Sequence, residues 1–323
     1  ISNDKVIVMG HKISDVDSIG AGIGIYRAAK SLNKRAHIVV NNPTMSVRPI
    51  IESFRQNADY DEHMFINSEA AREIVDNNTV VVVVDTNKPS YTECEELLQK
   101  TKTIVVLDHH RQGSEVIKNA VLSYIEPYAS STCEMVAEIL QYFSDDIRIY
   151  NIEADALYSG IMIDTNNFTA KTGVRTFEAA AFLRRCGADV TRVRKMFRDD
   201  VKSYKAKAEA IRNVETYKGS FAISVCPSEG IDSPTVVASQ AANELLNVDS
   251  IRASFVLTDY QNKIYISARA IDEVNVQIIM ERLGGGGHIN MAGAQLPGIS
   301  VNEAIRQLKE TLDKMMKEGD IEA

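Results

Sequence analysis

Residues 80–84 are five consecutive valines, and Asp85-Thr86-Asn87 follows them directly. A β-branched run with no polar interruption suits a strand covered on both faces, the condition of strands in a parallel sheet. The surrounding chain keeps that rhythm. Residues 5–9 (KVIVM), 36–40 and 103–107 read as further short buried strands. Between them, 18–33 carries Ile19, Ile23, Tyr26, Ala29 and Leu32 at helical spacing. Residues 68–77 read as a helix with Ser68 as its N-cap, and 93–100 as another. Alternating strands and helices predict an α/β fold whose first domain has a mainly parallel sheet flanked by helices.

The texture changes further along. From about residue 131 the pattern is helical: a helix to Tyr142 with caps at Ser130, Ser131 and Thr132, then 153–163 and 175–185, the last closed by Gly187. The charged run 192–207 reads as a solvated linker helix, not a nucleic-acid patch. Strands follow at 221–226, 253–258 and 263–269, the last two joined as a hairpin through 259–262. Helices are expected at 236–246, 275–283 and 301–317. The organisation read from this is a domain over 1–190, a linker helix over 191–206, and a smaller α/β domain with a mixed sheet over 207–323.

Charge and cysteine usage exclude several classes. The 44 acidic residues outnumber the 36 basic ones, a net charge of −8, which gives no track for long nucleic acid. No apolar run approaches the ~20 residues of a membrane helix, and there is no signal peptide, so a soluble, cytoplasmic chain with no membrane contact is expected. The four cysteines, Cys94, Cys133, Cys186 and Cys226, are scattered without a CxxC and read as reduced thiols. Ile1 as the first residue suggests a piece of something longer.

Four clusters carry the chemistry: Gly10-His11-Lys12-Ile13-Ser14-Asp15-Val16-Asp17 after the first strand, Asp85-Thr86-Asn87 after the valines, Asp108-His109-His110 after 103–107, and Asp164-Thr165-Asn166 after an apolar helical run. Open parallel sheets gather functional groups at the carboxyl ends of their strands, so three of the four are expected to converge. Asp and His donors without Cys suit Mn²⁺ or a similar divalent ion, and packed carboxylates need cations to hold them. Two ions about 3.5–4 Å apart, activating a water for attack on phosphorus, are the usual arrangement for phosphoryl chemistry. His37 and His63 have no such company and read as structural. Gly20, Gly22 and Gly24 lie inside the predicted helix, not at the strand-to-helix turn, so they are small residues for close packing and not a dinucleotide fingerprint. Residues 284–287 are four consecutive glycines followed by His288, a loop that admits a ligand close to backbone, and its amides can form an anion nest.

GHKISDVDS, VVVVVDTN, LDHH and MIDTN resemble the four motifs of the DHH phosphoesterase superfamily, which includes RecJ-type nucleases, oligoribonucleases and family II pyrophosphatases. Ser267-Ala268-Arg269, Asn275-Val276 and the glycine run with His288 resemble its DHHA1 substrate domain, so the resemblance spans nearly the whole chain. Lys88-Pro89-Ser90, Arg111 after the two histidines, and the stretches 125–140 and 172–180 are most similar to the bacterial cyclic-di-AMP phosphodiesterase branch. The resemblance implies two divalent ions, Mn²⁺, one held by His11, Asp15 and Asp85 and the other by Asp17, Asp85, His109 and Asp164, with Asp85 bridging. It implies that Asp108 orients a neighbouring imidazole, that His110 faces substrate, and that Arg269, Asn275, Gly285, Gly286, Gly287 and His288 bind it. Ala270 departs from the family pattern, where Ser often follows the Arg. The implied function is hydrolysis of cyclic di-AMP to linear 5′-pApA by a hydroxide held between two metals. Its rivals are an oligoribonuclease or pAp-phosphatase acting on linear pApA, a cyclic di-GMP preference, and a non-catalytic nucleotide sensor. A homodimer, with a parent protein anchored in the membrane by segments outside this chain, completes the expectation.

Overall fold

The computed structural model describes residues 4–144, 146–198, 200–271 and 274–322. Its first unit, Ile1–Arg198, contains strands β1 (Lys5–Met9), β2 (Arg35–Val39), β3 (Phe65–Ile66), β4 (Thr79–Val84), β5 (Thr103–Asp108) and β6 (Leu122–Ile125). They form one sheet in the order β3-β2-β1-β4-β5-β6, with every pairing parallel. The valine run shows why. Val82 and Val84 enter one hydrophobic core and Val81 and Val83 another. Successive side chains of a strand point to opposite faces, so only a sheet covered on both sides buries them all.

The helices supply that cover: α1 (Val16–Ser31), α2 (Arg48–Arg55), α3 (Ser68–Ile74), α4 (Leu97–Lys100), α5 (Thr132–Phe143), α6 (Asn151–Asp164), α7 (Val174–Arg185) and α8 (Val190–Met196). Residues of α1, α2 and α5 to α8 join one core, and residues of α3 and α4 the other. In this strand order the chain winds outward from β1 through β2 and β3, then returns to β4 on the other side of β1. The carboxyl ends of β1 and β4 therefore flank the switch point where doubly wound sheets hold ligands.

The second unit, Asp199–Ala323, contains α9 (Val201–Arg212), β7 (Glu215–Tyr217), β8 (Phe221–Val225), α10 (Pro234–Leu245), β9 (Ala253–Tyr260), β10 (Lys263–Ala270), α11 (Val276–Arg282), β11 (Gly286–His288), β12 (Met291–Pro297) and α12 (Val301–Glu318). Its sheet runs β11-β12-β10-β9-β8-β7, parallel only between β8 and β9, hence mixed. The expected β9–β10 hairpin is present, turned by Gln261 and Asn262 at φ 52° and 61°, the left-handed pair that matches strand twist.

Several local expectations shift. Asn67, not Ser68, caps α3, its side chain accepting from the Ala70 amide at 2.9 Å. The helix expected over 93–100 shortens to α4, because Glu93 turns back to accept the Asn41 amide at 2.7 Å. The charged run expected as one linker helix forms α8 and α9, the second started by Asp200, whose carboxylate accepts from the amides of Lys202 and Ser203. Asp199 within that run, and Ile1 and Ala323 at the ends of the expected domains, lie outside the described residues. The edge strands β3, β6, β7 and β11, the inner strand β12 and the helix α2 went unread: most are short segments with little periodicity, and β12 is irregular in hydrophobicity. His37 is structural: its Nδ1 lies 2.7 Å from the carbonyl of His63. All four cysteines are free.

Candidate metal centre

Residues just past the ends of β1, β4 and β5, together with the last residue of α6, meet in the first unit. Asp15 caps α1: one carboxylate oxygen accepts the Ser18 amide at 2.9 Å, and the other lies 3.4 Å from His11 Nε2. The same Nε2 is 3.3 Å from Asp85. Asp85 has φ 60°, a left-handed conformation that Asp tolerates and that turns the carboxylate off the end of β4. Its other oxygen is 3.5 Å from His109 Nε2 and accepts from the Thr132 hydroxyl at 3.1 Å. His109 Nε2 also lies 3.9 Å from Asp17 and 3.6 Å from Asp164, while its Nδ1 is 3.3 Å from the Ala129 carbonyl.

Asp17 is fully buried, and its two oxygens accept the Thr132 and Cys133 amides at 2.7 and 2.8 Å. It thereby satisfies two donors that the start of α5 leaves open. Small residues bring these helices together. A Cβ on Gly20 would stand 2.7 Å from the Ala156 carbonyl, and one on Gly160 3.1 Å from the Asp17 Cα. Gly22 faces Val8 and Ile38 of the sheet, whereas Gly20 and Gly24 face α5 and α6, so the glycines of α1 serve helix contacts as well as the sheet.

Two groups of three donors follow: His11, Asp15 and Asp85, and Asp17, His109 and Asp164, with the donor atoms of each within 4.8 Å of one another. A third, overlapping group joins Asp85, His109 and His110. Asp108 belongs to none of them. Its Oδ1 lies 2.8 Å from His110 Nδ1, and its Oδ2 accepts from the Asn87 amide. The Asp108 contact orients His110, whose side chain is 47% exposed.

The electrostatics describe a nest of carboxylates short of positive charge. Burial pushes Asp17 up to about 7, with neighbouring Asp85 adding to it. Burial and then Asp17 drive Asp164 well above the ordinary carboxylate range. Burial also acts to raise Asp85, but hydrogen bonds from His109 and His11 outweigh it and hold Asp85 below that range. Burial opposes charging of the two imidazoles, yet their carboxylate partners lift His11 and His109 to about 10. Hydrogen bonding to Asp108 raises His110, outweighing burial, which acts to lower it. Oxygen and imidazole donors so placed, with repulsion among the carboxylates to relieve, fit divalent cations of the Mn²⁺ class.

A pH dependence follows with a definite sign. Both imidazoles are raised from about 6.5, so in the metal-free protein their stabilisation is complete below pH 6.5 and is lost as pH climbs toward 10. The raised carboxylates act in the same direction. Thermal melts of chelator-treated protein are expected to fall steadily between pH 6.5 and 10, with a slope of at most about 1.4 kcal/mol per pH unit for each imidazole. Metal requires neutral imidazoles, so loaded protein is expected to hold its melting temperature over that range. A flat metal-free profile contradicts the assignment.

In the second unit, Arg269 donates to the Ala268 carbonyl at 2.9 Å and to the Ser239 hydroxyl. Its buried Nε has no partner, and burial alone lowers its pKa to about 10. A buried guanidinium without a carboxylate among the described residues is a natural anion site. Asn275 commits its side-chain oxygen to capping α11, accepting from Gln277 at 3.1 Å. Gly284 lies in a turn, and the rest of the glycine run is less open than a free loop: Gly286 and Gly287 begin β11, and Gly285 and Gly287 abut the backbone of β12. The supporting partners Thr132, Cys133 and Ala129 escaped sequence reasoning. The capping signal at 130–132 was visible, but nothing local says that it meets residue 17.

Residues 5–161 match the DHH family, N-terminal domain, and residues 218–318 match the DHHA1 domain. The chain is 44% identical to the cyclic-di-AMP phosphodiesterase GdpP of Bacillus subtilis, over 98% of this chain and 49% of that protein. It is 39% identical to the cyclic-di-AMP phosphodiesterase PdeA of Listeria monocytogenes, over 98% and 48%. The chain thus spans about half the length of these relatives. An exopolyphosphatase-related protein of Bacteroides fragilis shares the fold, with a TM-score of 0.81 at 20% identity, over 97% of this chain and 92% of that one. With both domains matched in order and the His and Asp donors gathered at the switch point of the first sheet, the chain belongs to the DHH family.

Proposed function

We propose that the chain hydrolyses cyclic di-AMP to linear 5′-pApA. The observation that carries this reading is identity of 39–44% over 98% of the chain to proteins that bear that activity in their names. The donor geometry is consistent with it. His11, Asp15 and Asp85 would hold one divalent ion and Asp17, Asp85, His109 and Asp164 a second, Mn²⁺ by donor type. Such ions, when bound, neutralise phosphoryl oxygens and lower the pKa of water.

The chain's own residues do the rest. Asp85 reaches both histidines from its turned backbone, so it is the carboxylate that would serve both ions. Asp17 is fixed by the start of α5 and Asp15 by capping α1, which removes rotamer freedom from two ligands before any ion arrives. His110 is held by Asp108, whose hydrogen bond raises its pKa, so it is placed to give a proton to the departing 3′ oxygen. Arg269 and His288 in the second unit bind phosphate, and the glycines beside them admit the nucleotide close to backbone.

The deciding experiment compares turnover of cyclic di-AMP, cyclic di-GMP and pApA with Mn²⁺ present. Cyclic di-AMP is expected to be consumed fastest, with pApA accumulating. Faster loss of pApA, with AMP as the early product, replaces this reading with an oligoribonuclease-type activity. Bound metal and bound nucleotide without turnover replace it with a sensor.

A further inference from the structure

The face of the second sheet on which α10 packs carries a groove of about 560 Å³, lined by Thr235, Tyr265, Ser267, Gly286, Gly293 and Gln295 among others. That size is typical of a small-molecule site. Strand register shows what the groove connects. Tyr265 pairs with Gln295; Ser267 pairs with Gly293, which pairs with Gly286; Arg269 pairs with Met291, which pairs with His288. Directly paired residues of antiparallel strands share a face, so these are three successive rows on one face. At roughly 3.3 Å per residue, the Arg269 and Tyr265 rows stand about 13 Å apart.

Beside Ser267 the middle row carries only the two glycines, and one of them is not needed by the fold. Gly284 and Gly287 have φ of 77° and 148°, and a Cβ on Gly285 would run into the Gly293 carbonyl and Ala294. Gly286 has no such φ, and a Cβ there meets nothing within 4 Å. A side chain at 286 would only fill the groove. At the far row, Gln295 is exposed, and Lys263 Nζ lies 3.4 Å from its Oε1. A primary amide offers the donor and acceptor that match adenine's amino group and ring nitrogen.

We propose that this groove seats one adenine of the dinucleotide, flat on the glycine row, with Tyr265 beside it and the Gln295 amide reading its edge. Arg269 and His288, at the other end of the same face, take the adjoining phosphate. Aromatic side chains beside a base add stacking without demanding sequence. Discrimination between purines comes from the amide, since a site built to hydrogen-bond one edge rejects the edge that leaves it unpaired. The proposal rests on the reading of the chain as acting on an adenine dinucleotide.

The test titrates the metal-loaded chain with AMP and with ribose 5-phosphate, which carries the phosphate and sugar but no base. The parent chain is expected to bind AMP at least tenfold tighter than ribose 5-phosphate. Gly286→Val and Gln295→Ala are each expected to weaken AMP by five- to twentyfold and to leave ribose 5-phosphate unchanged. The groove is excluded as a base site if the parent chain binds both ligands alike, if neither substitution moves AMP, or if both ligands weaken by the same factor. Turnover of cyclic di-AMP by the parent chain is measured separately. Its absence alongside an intact AMP preference overturns the proposed reaction and leaves the groove standing.

Discussion

Asp85→Asn is expected to lower kcat for cyclic di-AMP by at least about a thousandfold, the order lost when a single group that organises transition-state charge is removed. The substitution keeps the side-chain volume, and Asn tolerates the left-handed backbone that Asp85 occupies at φ 60°. Only the charge goes, and with it the one carboxylate among the described residues that faces both His11 and His109. Bound metal, counted by elemental analysis, is expected to fall with activity, while the circular dichroism spectrum stays that of the parent chain. The two imidazoles lose their shared anion, so their pKa values drop from about 10 toward the ordinary histidine value. Near-normal turnover with a full metal complement would falsify the bridging role.

Gly160→Val is expected to be the most damaging single change away from the ligands themselves. A Cβ at 160 runs into the Cys133 sulfur and comes within 3.1 Å of the Asp17 Cα. The contacts are backbone and a buried thiol, so nothing can swing aside. Overpacking of this kind costs about 3 kcal/mol, a drop of roughly 10 °C in melting temperature for a unit of this size. It also pushes α1 from α6, the helices that carry Asp17 and Asp164, so metal affinity is expected to fall with stability. Gly173→Ala is the control: a Cβ there meets nothing within 4 Å, and its melting temperature is expected to match the parent's. Equal melting temperatures for the two variants would contradict the close helix crossing.

The parallel sheet was legible because Val81 to Val84 have no solvent-facing alternative: each side of the strand had to be apolar. The four clusters were legible for a related reason, since Asp and His at the ends of buried strands have few structural uses. What stayed hidden depends on distance along the chain. The φ of Asp85, the Thr132 hydroxyl on its carboxylate and the Ala129 carbonyl behind His109 leave no trace in the residues that precede or follow them. The glycine run misled in part. It read as an open loop, yet two of its members exist to let β11 lie against β12, a strand too irregular in hydrophobicity to be seen beforehand.

One contact joins parts of the first unit that lie far apart along the chain. Asp17 is held by the amides of Thr132 and Cys133, 115 and 116 residues further on. Bringing such remote partners together is slow, and until they meet the Asp17 carboxylate is free to rotate in water. A chain leaving the ribosome therefore carries three of its candidate donors, His11, Asp15 and Asp17, long before the segment that fixes the last of them exists. The group of Asp17, His109 and Asp164 is therefore brought together only when the start of α5 docks on α1, which ties the gathering of these donors to completion of the whole first unit.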